Sequence, residues 1–212
     1  MILNKEIGTK IAKSLLEIEA VKLNVSNPFT WASGIKSPIY CDNRRILSFP
    51  ETRKLVSSSI AGLFVQEYGK PDCIAGVATG GIPHGVLAAE QVNLPFVYVR
   101  SGKKQHGLGN SVEGFVKPGW KVMVVEDLIS TGQSSLAAVE SLRQNNCVVI
   151  GMIAIFTYGF DMAESNFWEA GCKLITLTDY NILIEVASEL GYINAGEIDL
   201  LEKWRKDPRS WK

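Results

Sequence analysis

A chain of 212 residues, 46% hydrophobic and 21% charged, can bury one packed domain with an appendage and is too short for two full domains. Its 22 Lys and Arg balance 22 Asp and Glu, so no net basic field recruits nucleic acid or an anionic membrane, and any phosphate site must be local. Cys41, Cys73, Cys147 and Cys172 are widely spaced without a C-x-x-C pair and read as reduced thiols; with no signal-peptide apolar stretch at the N-terminus and no run near the roughly 20 apolar residues of a membrane span, the expected location is the cytoplasm.

In chain order, Ile7, Ile11, Leu15, Ile18 and Val21 recur at spacings of four and three, which predicts a one-faced amphipathic helix within residues 4–24. Residues 25–50 then break into Pro, Gly, Ser and aromatic residues and read as a surface connection or a shaped hood. From residue 51 onward, apolar strand patterns at 73–78, 94–100, 121–126, 148–157 and 173–178 alternate with helical patterns at 52–67, 82–92, 135–144, 164–170 and 181–190. A last helix is expected over 195–208, ended by Asp207-Pro208. Such alternation predicts right-handed crossovers and an α/β fold, a Rossmann-like parallel sheet of about five strands flanked by helices. The expected organisation is a single domain over 1–212, with the hood at about 1–50, the core at about 51–190 and a C-terminal helix at about 195–208 that joins the hood.

Two turns stand out. Residues 121–135, Lys-Val-Met-Val-Val-Glu-Asp-Leu-Ile-Ser-Thr-Gly-Gln-Ser-Ser, join a buried strand to two carboxylates and then to hydroxyls around a glycine. Leu136, Val139 and Leu142 follow at helical spacing, so Ser130, Thr131, Gly132, Gln133 and Ser134 would present N–H and hydroxyl groups at a helix N-terminus, which suits a phosphate. Glu126 and Asp127 would repel that phosphate and suit sugar hydroxyls, a developing positive charge or Mg²⁺. A phosphorylated sugar satisfies both halves. The second turn, Thr79-Gly80-Gly81, follows the strand from Cys73, and parallel strands bring both turns to one sheet edge.

The stretch 121–135 resembles the signature of the type I phosphoribosyltransferases, which bind 5-phosphoribosyl 1-diphosphate through two acidic residues and a Thr-Gly loop. The resemblance implies that Glu126 and Asp127 contact the ribose hydroxyls, that residues Leu128 to Ser134, with Ile129 between, form the donor-binding loop holding the 5-phosphate, and that Thr79 and Gly80 form the diphosphate loop.

Residues 101–114 are glycine-rich and basic, and Arg100, Lys103, Lys104 and His106 make a local cationic cluster suited to a diphosphate leaving group. Arg100, Lys104 and His106 match the Arg-x-x-x-Lys-x-His pattern of the orotate phosphoribosyltransferases, and Phe29-Thr30-x-x-Ser33-Gly34-x-x-Ser37-Pro38-x-Tyr40 is similar to that family's hood motif. This narrower resemblance implies orotate and 5-phosphoribosyl 1-diphosphate as substrates, Lys104, His106, Glu126 and Asp127 as catalytic residues, and Ser130 and Tyr40 at orotate. It also implies Mg²⁺ held by the donor's diphosphate and ribose hydroxyls without direct protein ligands, and a homodimer whose mobile loops reach into each other's sites. Two positions depart from the pattern: Ala32 stands where many members have lysine, and Tyr158 where some have an orotate-binding arginine. That leaves Arg44, Arg45, backbone N–H groups or Ser130 to receive the orotate carboxylate. His84, after Pro83 at a helix start, reads as structural.

Overall fold

The computed structural model describes residues 4–31, 33–100 and 111–211. Helix α1 (Lys5–Glu17) starts at Asn4, whose side chain accepts a hydrogen bond from the Ile7 N–H, and it buries Ile11 and Leu15. It ends earlier than its periodicity predicts. Glu19 takes a positive φ of 54°, and Val21 leaves the helix to open strand β1 (Val21–Leu23). The hood continues with β2 (Phe29–Thr30), β3 (Lys36–Ser37), β4 (Ile39–Cys41) and a 3₁₀ helix at Asn43–Ser48. Its strands form two small antiparallel pairs, β1 with β4 and β2 with β3.

The core follows as α2 (Pro50–Tyr68), β5 (Cys73–Val77), α3 (Gly81–Gln91), β6 (Phe96–Val99), β7 (Val112–Glu113), β8 (Lys121–Ile129), α4 (Gln133–Gln144), β9 (Val148–Thr157), α5 (Asp161–Glu169), β10 (Leu174–Asp179), α6 (Tyr180–Glu189) and α7 (Ala195–Lys206). The six-stranded sheet runs β10-β9-β8-β5-β6-β7, with five strands parallel and β7 antiparallel to β6 at the edge. The five parallel strands match the expected count; the antiparallel sixth is an addition. The chain winds outward from β5 through β6 and then, from β8, outward the other way. The crevice where ligands bind in such sheets therefore lies at the C-terminal ends of β5 and β8.

Strand β8 is buried on both faces, as its unbroken apolar run requires. Met123 and Val125 join the core beneath α1, α2 and α3, while Val122 and Val124 join the core beneath α4 and α5. The C-terminal helix closes onto the hood through fully buried Trp204, whose Nε1 donates to the Lys36 carbonyl at 3.2 Å and whose ring meets Trp31 edge-on at 5.6 Å. All four cysteines are free thiols. Among the described residues no helix is long and apolar enough to cross a membrane.

Candidate active site

Strand β8 continues through Glu126 and Asp127 to Ile129, three residues past its expected end, because Leu128 and Ile129 stay paired with Phe156 and Thr157 of β9. The two carboxyl groups stay close to one another and both line the same cavity, but their surroundings differ. Glu126 turns toward α4 and is only 5% exposed; its Oε1 accepts from the Asp127 N–H at 2.9 Å, and the Ser135 hydroxyl reaches its Oε2 at 2.9 Å. Burial, reinforced by the Asp127 carboxyl next to it, pushes its carboxyl well above the usual carboxylate range, to about 9. The expected acidic pair thus lies together at the cavity, with Glu126 anchored by hydrogen bonds and buried and Asp127 more open.

Asp127 turns toward α3 and the hood. A Cβ at Gly80 would collide with the Asp127 carboxyl group, so the second turn admits this side chain only because residue 80 is glycine. From the hood, buried Asn43 donates its Nδ2 to the Asp127 carbonyl at 2.6 Å, which pins the strand end across the domain. His84 lies fully buried, and burial pushes its pKa down to about 4 against the opposing pull of the Asp127 carboxylate. A neutral, packed ring fits the structural role expected from its sequence position.

The phosphate-type turn is Ser130-Thr131-Gly132. Gly132 adopts φ 79°, and a Cβ there would lie 2.7 Å from the Phe167 ring, so glycine is required on two counts. Asn166 of α5 donates its Nδ2 to the Thr131 carbonyl at 2.8 Å and holds the turn open toward α4. Neither Asn43 nor Asn166 was singled out from sequence. Each is an isolated polar residue whose partner is distant in the chain.

These parts surround a cavity of about 570 Å³ whose walls include Thr79, Arg100, Glu126, Asp127, Leu128, Ser130, Thr131, Gly132 and Ser134. Gly80, Ile129 and Gln133 support the walls without lining them, and Tyr40, 41% exposed against Phe29, lines no part of it. Arg100 is the one cation lining the cavity among the described residues, and its guanidinium bonds to Glu113 at 3.2 Å. The expected loop residues Lys103, Lys104 and His106, and Ala32 of the hood, lie outside the described residues. A cavity with oxygen donors on one side and bare helix N–H groups on the other, at the switch point of a doubly wound sheet, suits a phosphorylated sugar.

Comparison with known proteins decides the family. The model of the phosphoribosyl transferase domain matches residues 45–189, and a curated protein from Phocaeicola vulgatus is 54% identical over 208 residues, covering 98% of both chains. The chain belongs to the phosphoribosyltransferase family. That relative is named orotate phosphoribosyltransferase, as is a protein from Listeria monocytogenes that is 50% identical over 97% of this chain and 98% of its own. Among solved structures, the orotate phosphoribosyltransferase from Aeropyrum pernix superimposes with a TM-score of 0.74 at 28% identity, covering 87% of this chain and 99% of its own. Within the family frame, the cavity between β5 and β8 occupies the position where the fold class binds its ligands.

Proposed function

We propose that the chain transfers the 5-phosphoribosyl group of 5-phosphoribosyl 1-diphosphate to orotate, giving orotidine 5-phosphate and diphosphate. The observation that carries this reading is one cavity that joins Asp127 to the Ser130-Thr131-Gly132 turn across the C-terminal ends of β5 and β8. The choice of base rests on near-full-length identity to proteins named for orotate and on the hood, whose Asn43 bonds to the Asp127 carbonyl at the cavity's edge.

The 5-phosphate sits on the turn and the N-terminus of α4, where N–H groups and the helix dipole favour an anion. Asp127 faces the ribose, accepting from its hydroxyls and stabilising positive charge as the C1–O bond to diphosphate breaks. That bonding pair leaves with the diphosphate, the ring nitrogen of orotate forms the new bond to C1, and its proton is released. The raised affinity of buried Glu126 for a proton limits the negative charge it sets beside the 5-phosphate. The donors of the cavity wall at Asp127, Thr79, Ser130 and Thr131 are all oxygens, which fits a hard cation carried in on the diphosphate; these groups would hold the water shell of Mg²⁺. Mg²⁺, when bound, supplies positive charge to the leaving group.

The functional unit is a homodimer in which the segment bearing Lys104 and His106 serves the neighbouring subunit's cavity. Supporting this, the described wall carries one cation, already engaged with Glu113, which is too little charge for a departing diphosphate. Incubating the purified protein with labelled donor, Mg²⁺ and a panel of pyrimidine and purine bases tests the function. Product with orotate alone is expected; product with a purine instead, or with no base, would overturn it.

A further inference from the structure

A second cavity, of about 410 Å³, opens on the far side of the phosphate turn and shares Ser130 and Thr131 with the first. Its walls combine the aromatic rings of Trp31 and Phe160 with the cations Arg205, Lys206 and Arg209. Asp161 and Asp207 also line it, leaving an excess of one positive charge, by three cations to two carboxylates. Flat apolar walls with a cationic end suit a planar ring bearing a carboxylate.

The acceptor of the proposed reaction is such a molecule, and the two arginines singled out from sequence are engaged elsewhere. Arg44 binds Asp42 through Nε at 2.6 Å and Nη2 at 2.9 Å. Arg45 donates Nε to the Ile18 carbonyl at 2.9 Å on the outer side of the hood. Neither lines either cavity. Tyr158, packed between Trp31 and Phe160 and 3% exposed, offers no charge. Arg205 differs on each count. It lines the second cavity, and among the described residues its guanidinium makes one hydrogen bond, Nη1 to the Gly159 carbonyl at 3.0 Å, out of the five an arginine can donate. It is also held in place, because Trp204, the residue before it, is locked to the hood.

We infer that Arg205 is a specificity-determining residue that receives the carboxylate of the acceptor, with Trp31 and Phe160 flanking the ring. The inference rests on the proposed function, since it needs orotate as the acceptor. It places the ring nitrogen toward the first cavity and the carboxylate toward the second, with Ser130 between them.

The test measures orotate as substrate and uracil, the same ring without the carboxylate, as a competing ligand, in wild type, Arg205→Gln and Arg205→Lys. Gln keeps an N–H for the Gly159 carbonyl and removes the charge. KM for orotate is expected to rise roughly 10- to 100-fold in Arg205→Gln, as for loss of a charge-assisted hydrogen bond. Uracil inhibition and KM for the ribosyl donor should stay within about twofold, and Arg205→Lys should recover part of the loss. An unchanged orotate KM, or parallel weakening of orotate and uracil, overturns the assignment. Loss of inhibition by inorganic phosphate with orotate KM unchanged also overturns it, assigning the cavity to a separate anion. Should Arg205→Gln fail to fold, Arg205→Lys decides alone: loss of the bidentate fork must weaken orotate and spare uracil. Wild-type protein that leaves orotate untouched would sink the proposed function itself, a different failure.

Discussion

Replacing Glu126 with glutamine should make the protein more stable at neutral pH, although it removes a charge-bearing group from the site. The carboxyl is buried with a folded pKa of about 9, against 4.5 for the free side chain, so the folded state holds a proton that the unfolded chain has lost. Stability contributed by the protonated form is full below pH 4.5 and is lost as pH rises through the window up to about 9. At about 1.4 kcal/mol per pH unit, the wild type forfeits at most roughly 3 to 4 kcal/mol by pH 7 from this group alone. Glutamine mimics the neutral acid: its carbonyl accepts from the Asp127 N–H and its amide donates to the Ser135 oxygen, the two positions Glu126 already fills. The assay is denaturant unfolding of both proteins at pH 5, 6, 7 and 8, with the difference taken at each pH so that other groups cancel. The variant should exceed the wild type by less than about 1 kcal/mol at pH 5 and by a growing margin toward pH 8. Parallel curves, or a variant less stable at every pH, would show that Glu126 is ionised in the folded protein.

Gly80→Ala has an allowed helical backbone but sets a methyl group against Asp127, so kcat/KM for the ribosyl donor should fall by roughly 100-fold while the melting temperature shifts little; equal activity would contradict the close approach. Activity should vanish on thorough chelation and return with Mg²⁺, because the described wall supplies one cation to a multiply charged leaving group; full activity in chelator would refute the need. Mixing inactive Lys104→Ala protein with inactive Asp127→Asn protein under subunit exchange should restore turnover, since one site of each mixed dimer keeps both residues. A mixture that stays inactive would place each site within one chain.

The five parallel strands were legible because each is a continuous apolar run with turn residues at its ends, and their parallel arrangement followed from the alternation with helices; the order β10-β9-β8-β5-β6-β7 was not read from sequence. Strand β7 was not legible: Val112–Glu113 is two residues long and carries no periodicity. The end of α1 was misread because Ile18 and Val21 continue the helical spacing, while the positive φ at Glu19 leaves no signature in composition. At the site, the spacing of hydroxyls and glycine identified the phosphate turn, whose local geometry is set by neighbours in sequence. The burial of Glu126 was hidden, since it depends on Ser135 of α4 packing back against the end of β8. Asn43, Asn166 and Arg205 were hidden for a related reason: their partners lie 84, 35 and 46 residues away, and only the packed fold brings them together.

The kcat of Asp127→Asn with orotate and the ribosyl donor tests most directly whether the crevice between β5 and β8 performs the transfer. Asparagine keeps the shape and the backbone bond to Asn43 but removes the charge facing the ribose. A fall in kcat of roughly 100- to 1,000-fold with an unchanged unfolding midpoint is expected, as for loss of one preorganised electrostatic group. Turnover within a factor of about two of wild type would contradict the assignment of the reaction to this cavity.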